Sequence, residues 1–254
     1  MSGKRLTNDF YRRTDVVQVA RELLGKVLVT QFERIRTAGI ITEVEAYRAP
    51  DDRACHAWNN RRTKRTEVMF REGGTAYIYL CYGIHHLFNV VTAPEDVAHA
   101  ILIRAVEPLE GLEFMRLRRQ TPPPTPPLKE RGDVEYTATG SPVYSTRGDV
   151  EGAAVSRLRF SPGKGQGAGF QGSLFHRLTT GPGALSQALG LSTAWTGQSL
   201  TDPETPVWIE DRGRIIPETS IVAGPRIGVD YAGECAAWEW RFWLRDSAFV
   251  TRKK

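Results

Sequence analysis

A chain of 254 residues, with 41% hydrophobic, 9% aromatic and 25% charged residues, has ordinary globular composition and needs neither disulfides nor metal to bury a core. Its three cysteines, Cys55, Cys81 and Cys235, are odd in number and lack C-x-x-C spacing, and no apolar run suits a membrane span or a secretory leader, so a soluble cytoplasmic protein is expected. The net charge of +5 is uneven: residues 1–65 hold 14 Lys or Arg against 8 Asp or Glu, and the remainder 20 against 21. The densest basic piece, Arg61-Arg62-Thr63-Lys64-Arg65, is either a phosphate-binding loop or a solvated surface run.

Val16, Val17, Ala20, Leu23 and Leu24 recur at helical spacing between Thr14, a candidate N-cap, and Gly25, a candidate C′ residue. Residues 26–32 and 39–47 read as strands. Alternation along the second puts Ile40, Thr42, Val44 and Ala46 on one face and Ile41, Glu43, Glu45 and Tyr47 on the other, so two carboxylates and a tyrosine share a face. Ala49-Pro50-Asp51-Asp52 ends this strand as a turn. Residues 75–82 and 84–92 predict a hairpin bent near Tyr82-Gly83, with Tyr77 and Tyr79 on one face and Tyr82 at the tip. Residues 99–106 read as a central strand in which Arg104 is the exception, and 109–119 as a helix with Arg116, Arg118 and Arg119 in its last turns.

Five prolines in residues 121–127 and the glycine-rich run 161–172 build no core, so 120–174 reads as a flexible Pro/Gly-rich insertion. A helix resumes near Pro182 and ends at Gly190, and residues 207–210, 225–229 and 240–244 are strand candidates. No internal repeat is visible. The pattern predicts one α+β domain over residues 1–254: a mostly antiparallel mixed sheet, flanking helices and a protruding β-hairpin.

An inward-facing carboxylate is costly to bury unpaired, so Glu45, two residues from Tyr47, is either ion-paired with Arg104 or another base, or functional. His56 stands open between a satisfied structural residue and a catalyst. The tyrosines at 47, 77, 79 and 82 either fill a sheet face or, beside a carboxylate and a basic loop, hold a planar base removed from a nucleic-acid stack. Asn89, an amide in an apolar strand, either finds internal partners or gates a ligand edge. His85 and His86 point to opposite faces and have no third ligand at metal spacing. No dinucleotide fingerprint, P-loop, G-x-S-x-G or H-E-x-x-H occurs. These residues describe a nucleic-acid-directed protein with a carboxylate site and leave the reaction open.

EVEAYRAPDDRACHAW (43–58), RRTKRTEVMF (61–70), GTAYIYLCYGIHHLFNVV (74–91) and RAVEPLEG (104–111) resemble the alkyladenine (3-methyladenine) DNA glycosylase family. FYRRTDVVQVARELLGKVL (10–28), TTGPGALSQALGL (179–191), PRIGVDYAGE (225–234) and WRFWLRDSAFV (240–250) extend the likeness, in consistent order, over most of the chain outside the insertion. The resemblance implies a base-excision repair enzyme that flips alkylated, and in some cases deaminated, purines out of duplex DNA and hydrolyses the N-glycosidic bond. By it, Glu45 activates the attacking water, Tyr47, His56 and Tyr79 enclose the base, and Asn89 excludes the amine of normal guanine. Tyr82 fills the gap in the duplex, while Arg104 and the run Arg61, Arg62, Thr63, Lys64 and Arg65 contact DNA.

No lysine in these segments matches a Schiff-base nucleophile, so the implied enzyme is monofunctional and leaves an abasic site. The resemblance further implies no cofactor and no metal, duplex DNA with damaged purines as partner, no membrane, and a monomer in the cytoplasm, nucleoid-associated in a prokaryote. Two rival classes remain, a non-catalytic nucleic-acid-binding protein on the same fold and a glycosidase of free nucleosides. Glu45 together with Tyr82 argues against both. Ala184 stands where the family usually has a lysine, so a phosphate contact there is missing or is supplied by the insertion.

Overall fold

The computed structural model describes residues 3–120 and 175–251. The expected insertion at 120–174 lies, apart from Gln120, outside the described residues.

Strand β1 (Lys4–Arg5) and a single helical turn, α1 (Asn8–Tyr11), precede α2 (Val16–Leu23). Asp15, not Thr14, caps α2: its carboxylate accepts the Gln18 N–H at 3.0 Å, and an ionised cap suits the positive helix end. Val16, Val19, Ala20 and Leu23 form the buried stripe. The chain then turns through Gly25, at a φ of 82°, into β2 (Val27–Phe32) and the long β3 (Ile35–Arg48). A hairpin of β4 (Ala76–Cys81) and β5 (His85–Thr92) is followed by β6 (His99–Glu110), α3 (Leu112–Gln120) and α4 (Pro182–Leu189). The last strands are β7 (Val207–Asp211), β8 (Ile221–Gly224) and β9 (Arg241–Leu244).

The nine strands of the described residues join one antiparallel sheet ordered β1-β7-β2-β3-β6-β5-β4, with β9 pairing β3 and carrying β8 outward. β3 is its axis. Its first half pairs β2, residues 43–45 pair β9 on that same edge, and its other edge follows β6. One apolar cluster packs Leu23 of α2, Met115 of α3 and Leu185 and Leu189 of α4 with Ile41, Val44, Phe88, Ile101 and Ile103 of the sheet. The architecture is the expected α+β sheet with flanking helices and a protruding hairpin.

Three further local expectations are corrected. Ile40 and Ile41 exchange faces: Ile41 joins the main core with Val44 and Ala46, while Ile40 packs in a satellite cluster with Val27, Val29 and Ala38. The cause is irregular pairing of β3 with β6, where Ile41 opposes Val106 and Val44 opposes Ile103 but the residues between are out of step, so the period-two phase resets. The helix expected from 109 starts at Leu112, because Pro108-Leu109-Glu110 prolongs β6 and Gly111, at a φ of 71°, makes the turn. Finally, residues 225–229 are not a strand. The strand is β8, just before them, and 225–229 instead meets β3 through the Ile227 N–H on the Glu45 carboxylate and the Arg226 side chain on the Ala46 carbonyl.

Candidate active site

The catalytic candidate Glu45 sits on β3 and is fully buried. Its Oε2 accepts the Tyr47 hydroxyl at 2.8 Å and an Arg104 N–H at 3.1 Å, and its Oε1 accepts the backbone N–H of Ile227 at 2.7 Å. Arg104, from the facing strand β6, also donates through Nε to Glu43 Oε1 at 3.0 Å. Glu43 in turn receives Arg241 Nε of β9 at 2.7 Å and the Thr251 N–H at 2.6 Å. Two buried carboxylates and two buried arginines thus form a chain with no net charge, which is the condition for retaining ions in an interior. Burial disfavours the Arg104 cation, but Glu45 and Glu43 outweigh it and hold the guanidinium above its ordinary range.

Tyr47 is clamped from behind. The Arg226 guanidinium stacks 4.7 Å from its ring centroid and is itself held by Asp52 in a fully buried pair, by the Ala46 carbonyl at 2.8 Å and by the Cys235 carbonyl at 3.1 Å. Burial first, and the Glu45 carboxylate second, push the Tyr47 phenol well above its ordinary range, so it remains a donor.

His56, from the loop after β3, meets the hairpin tyrosines. Its ring is edge-on to Tyr79 at 4.7 Å, and its Nδ1 lies 2.8 Å from the Tyr77 hydroxyl. Arg65 Nη2 is 3.3 Å from His56 Nε2, with its guanidinium 4.8 Å from the Tyr79 ring centroid. Arginine only donates, so Nε2 accepts and the proton sits on Nδ1, directed at Tyr77. Burial and then the Arg65 charge bring the His56 pKa down to about 4, so the ring is neutral at pH 7. Asn89, opposite Tyr77 on β5, donates to the carbonyls of Tyr77 and Leu87 at 3.0 and 3.1 Å.

Tyr82 stands 92% exposed at the hairpin tip, where it and Gly83 adopt φ values of 51° and 74°. Left-handed backbone at consecutive positions is what a tight hairpin bend requires. Leu80 and Ile84 are also exposed, so the tip presents an apolar wedge.

The basic run divides. Arg61 and Lys64 are exposed, and Arg65 reaches back to His56 and Tyr79. Arg62 is ion-paired to Glu67 and Asp96 and lies over the Phe70 ring, while Thr63 shares hydrogen bonds with Thr66 that shape the turn. His86 Nδ1 accepts the Thr193 N–H at 3.2 Å, and His85 packs against Gly183 at the start of α4. Ala184 is half-buried in the first turn of α4. Among the described residues no three His, Cys, Asp or Glu side chains gather to hold a metal, and no helix is long and apolar enough to cross a membrane.

The structure therefore brings Glu45, Tyr47 and Arg104 into one constellation and His56, Tyr79 and Arg65 into another, with Asn89 joined to the latter through Tyr77. Sequence reasoning missed Ile227, Arg226, Asp52 and Arg241 as contributors. The available signal was chemical: Arg226 and Arg241 are charges inside apolar strand candidates and required buried partners.

The model of a protein family described as methylpurine-DNA glycosylase matches residues 9–140 and 150–248. A protein of Chlamydia abortus named "Putative 3-methyladenine DNA glycosylase" is 39% identical over 239 residues, covering 94% of this chain and 97% of its own. Similarly named proteins of Chlamydia pneumoniae and Bacillus cereus (strain ATCC 10987 / NRS 248) are 38% and 37% identical, each over 94% of this chain and 94% and 95% of their own.

Proposed function

Because the chain belongs to the methylpurine-DNA glycosylase family, we propose that it is a monofunctional enzyme that extrudes alkylated purines, and secondarily deaminated ones, from duplex DNA and hydrolyses their bond to deoxyribose. The reading extends to a monomer working in the cytoplasm on chromosomal DNA. The observation that carries it is Glu45: a fully buried carboxylate with three donors among the described residues, of which Oε1 takes the Ile227 N–H alone and so keeps a lone pair for water.

The chemistry follows from that carboxylate. As the base leaves, C1′ and the ring oxygen gain oxocarbenium character, which a fixed anion in a dry site stabilises. The same carboxylate takes a proton from the water that attacks C1′, so the hydroxyl adds to carbon, the N-glycosidic bond breaks with its electron pair going to the base, and Glu45 ends protonated. Arg104 and Tyr47 hold Oε2 still while Oε1 works. An N3- or N7-alkylated purine is already cationic, departs readily and is attracted to the faces of Tyr47 and Tyr79. Neutral His56 adds no charge to repel it. Tyr82, with Leu80 and Ile84, enters the stack as the nucleotide leaves, and damaged pairs are cheaper to open.

The test is release of free base and formation of alkali-labile sites from methylated duplex DNA by the wild type and by Glu45→Gln. Release by the wild type, with at least a thousandfold loss in the variant, is the expected result. Equal release by both refutes the role of Glu45, and no release by either favours a binding protein on the same fold.

A further inference from the structure

The chain of buried charges extends beyond what the reaction itself touches. Glu43 and Arg241 lie one step outside Glu45, with side-chain exposures of 0% and 8%. Three linked ion pairs are expensive to keep in an interior, and replacing buried pairs with apolar side chains of similar size is often neutral or stabilising. The presence of Glu43 and Arg241 beside Glu45 is thus better explained by the geometry they impose than by stability.

That geometry is specific. Glu43 is gripped from outside by Arg241 Nε and the Thr251 N–H, and Arg241 also donates to the Thr251 carbonyl. Thr42, the residue before, donates to the Phe249 carbonyl at 2.6 Å, so the segment 249–251 is stapled to β3 where its pairing with β6 is irregular. Glu43 Oε1 then holds the Nε edge of Arg104, which leaves one N–H, on Nη1, aimed at Glu45 Oε2. A guanidinium left to itself beside a carboxylate prefers the two-pronged pairing that engages both oxygens. Here one prong is withheld.

We propose that Glu43 and Arg241 are positioning residues that hold Arg104 in one-pronged contact with Glu45, keeping Arg104 off Glu45 Oε1, so that the lone pair not taken by the Ile227 N–H is left for water, and sharing the Arg104 charge between two carboxylates. The proposal rests on the reading of Glu45 as the general base. The charged and titratable groups facing Glu45 among the described residues are Glu43 and Tyr47 on β3, Tyr79 on β4, Arg104 on β6, Arg241 on β9 and, behind Tyr47, the Arg226 and Asp52 pair. Removing the Glu43 charge gives Glu45 all of Arg104. Removing the Arg241 charge lets Glu43 take a larger share of Arg104 and relaxes its hold on Glu45.

The experiment measures single-turnover base excision against pH for the wild type, Glu43→Gln, Arg241→Met and Arg241→Lys, with thermal unfolding and binding to abasic duplex DNA as controls. Glu43→Gln is expected to lose ten- to a hundredfold in maximal rate and to move the acid limb down by about one pH unit, and Arg241→Met to move it up. Arg241→Lys restores the cation and brings the limb back toward the wild-type position. DNA binding stays within about twofold throughout. A purely structural role lowers the melting temperature and the active fraction but leaves the limb where it is. Wild-type limbs in Glu43→Gln and Arg241→Met, or shifts of both in one direction, overturn the proposal. If Glu43→Gln does not fold, the two Arg241 variants decide it. A Glu45→Gln enzyme as active as the wild type overturns the underlying reading instead.

Discussion

The Tyr47 hydroxyl donates to Oε2 of Glu45 at 2.8 Å, across one intervening residue of a single strand. Strand geometry puts both side chains on one face, and the Arg226 cation behind the ring fixes its position, so the donor is set before any substrate arrives. Tyr47→Phe keeps the aromatic face and deletes the donor. The variant is expected to lose about tenfold in single-turnover rate at pH 7, equivalent to about 1.4 kcal/mol. Substrate KM is unchanged. A KM increase at unchanged rate would instead make the hydroxyl a binding group.

If Tyr82 is the proposed wedge, its contribution lies outside the folded protein. At 92% exposure its removal leaves stability within about 0.5 kcal/mol. In duplex DNA, however, nothing large then fills the vacated stack. Tyr82→Ala is expected to lower excision from duplex at least tenfold and from single strands less than threefold, and Leu80→Ala with Ile84→Ala to act in the same direction. Equal losses on the two substrates refute the wedge.

How much of this was legible in the sequence depended on chain distance. The shared face of Glu43, Glu45 and Tyr47 follows from a period of two within one strand, and Tyr82-Gly83 announces its own bend. The helix ending at Gly190 was likewise marked by a residue suited to a left-handed cap, which it adopts at a φ of 74°. Local chemistry failed where pairing intervened: no pattern in residues 39–47 reveals that β6 breaks register and turns Ile41 into the core. The partners of Glu45 and Tyr47 were hidden for a different reason. Ile227 and Arg226 lie 182 and 180 residues from the β3 positions they bond, and a backbone N–H has no sequence signature at all. The 225–229 run looked like a strand because it is apolar. Its backbone donor and arginine serve the site instead of a ladder.

Asn89 spends both amide N–H groups on the carbonyls of Tyr77 and Leu87, which fixes its side chain beside Tyr77 of the hairpin. In the proposed gating role, a fixed side chain there excludes a base bearing an extra exocyclic amine, whereas a mobile one would yield. Asn89→Ala is expected to raise release of undamaged guanine several-fold, measured by chromatography of the freed bases. The same variant loses about 1 to 3 kcal/mol of stability with the two side-chain hydrogen bonds. A stability loss with unchanged guanine release assigns Asn89 a structural role only.

His56 and His99 give the fold an acid weakness. Burial brings both pKa values down to about 4, helped by Arg65 at His56 and by Arg48 at His99, where Nδ1 has no hydrogen-bond partner among the described residues. In the unfolded chain each titrates near the ordinary histidine value of about 6.5. Between these values the unfolded state binds more protons, so stability is fully present above pH 6.5 and is lost as pH falls toward 4. Each ring accounts for at most about 3 kcal/mol across that window, less whatever solvent reaches His56. Urea unfolding at pH 7.5 and 4.5 isolates the effect from the carboxylates when the wild type is compared with His56→Gln and His99→Gln. Each variant is less stable at pH 7.5 and loses less on acidification. An identical acid loss in all three proteins contradicts the assignment of both rings as neutral in the native state.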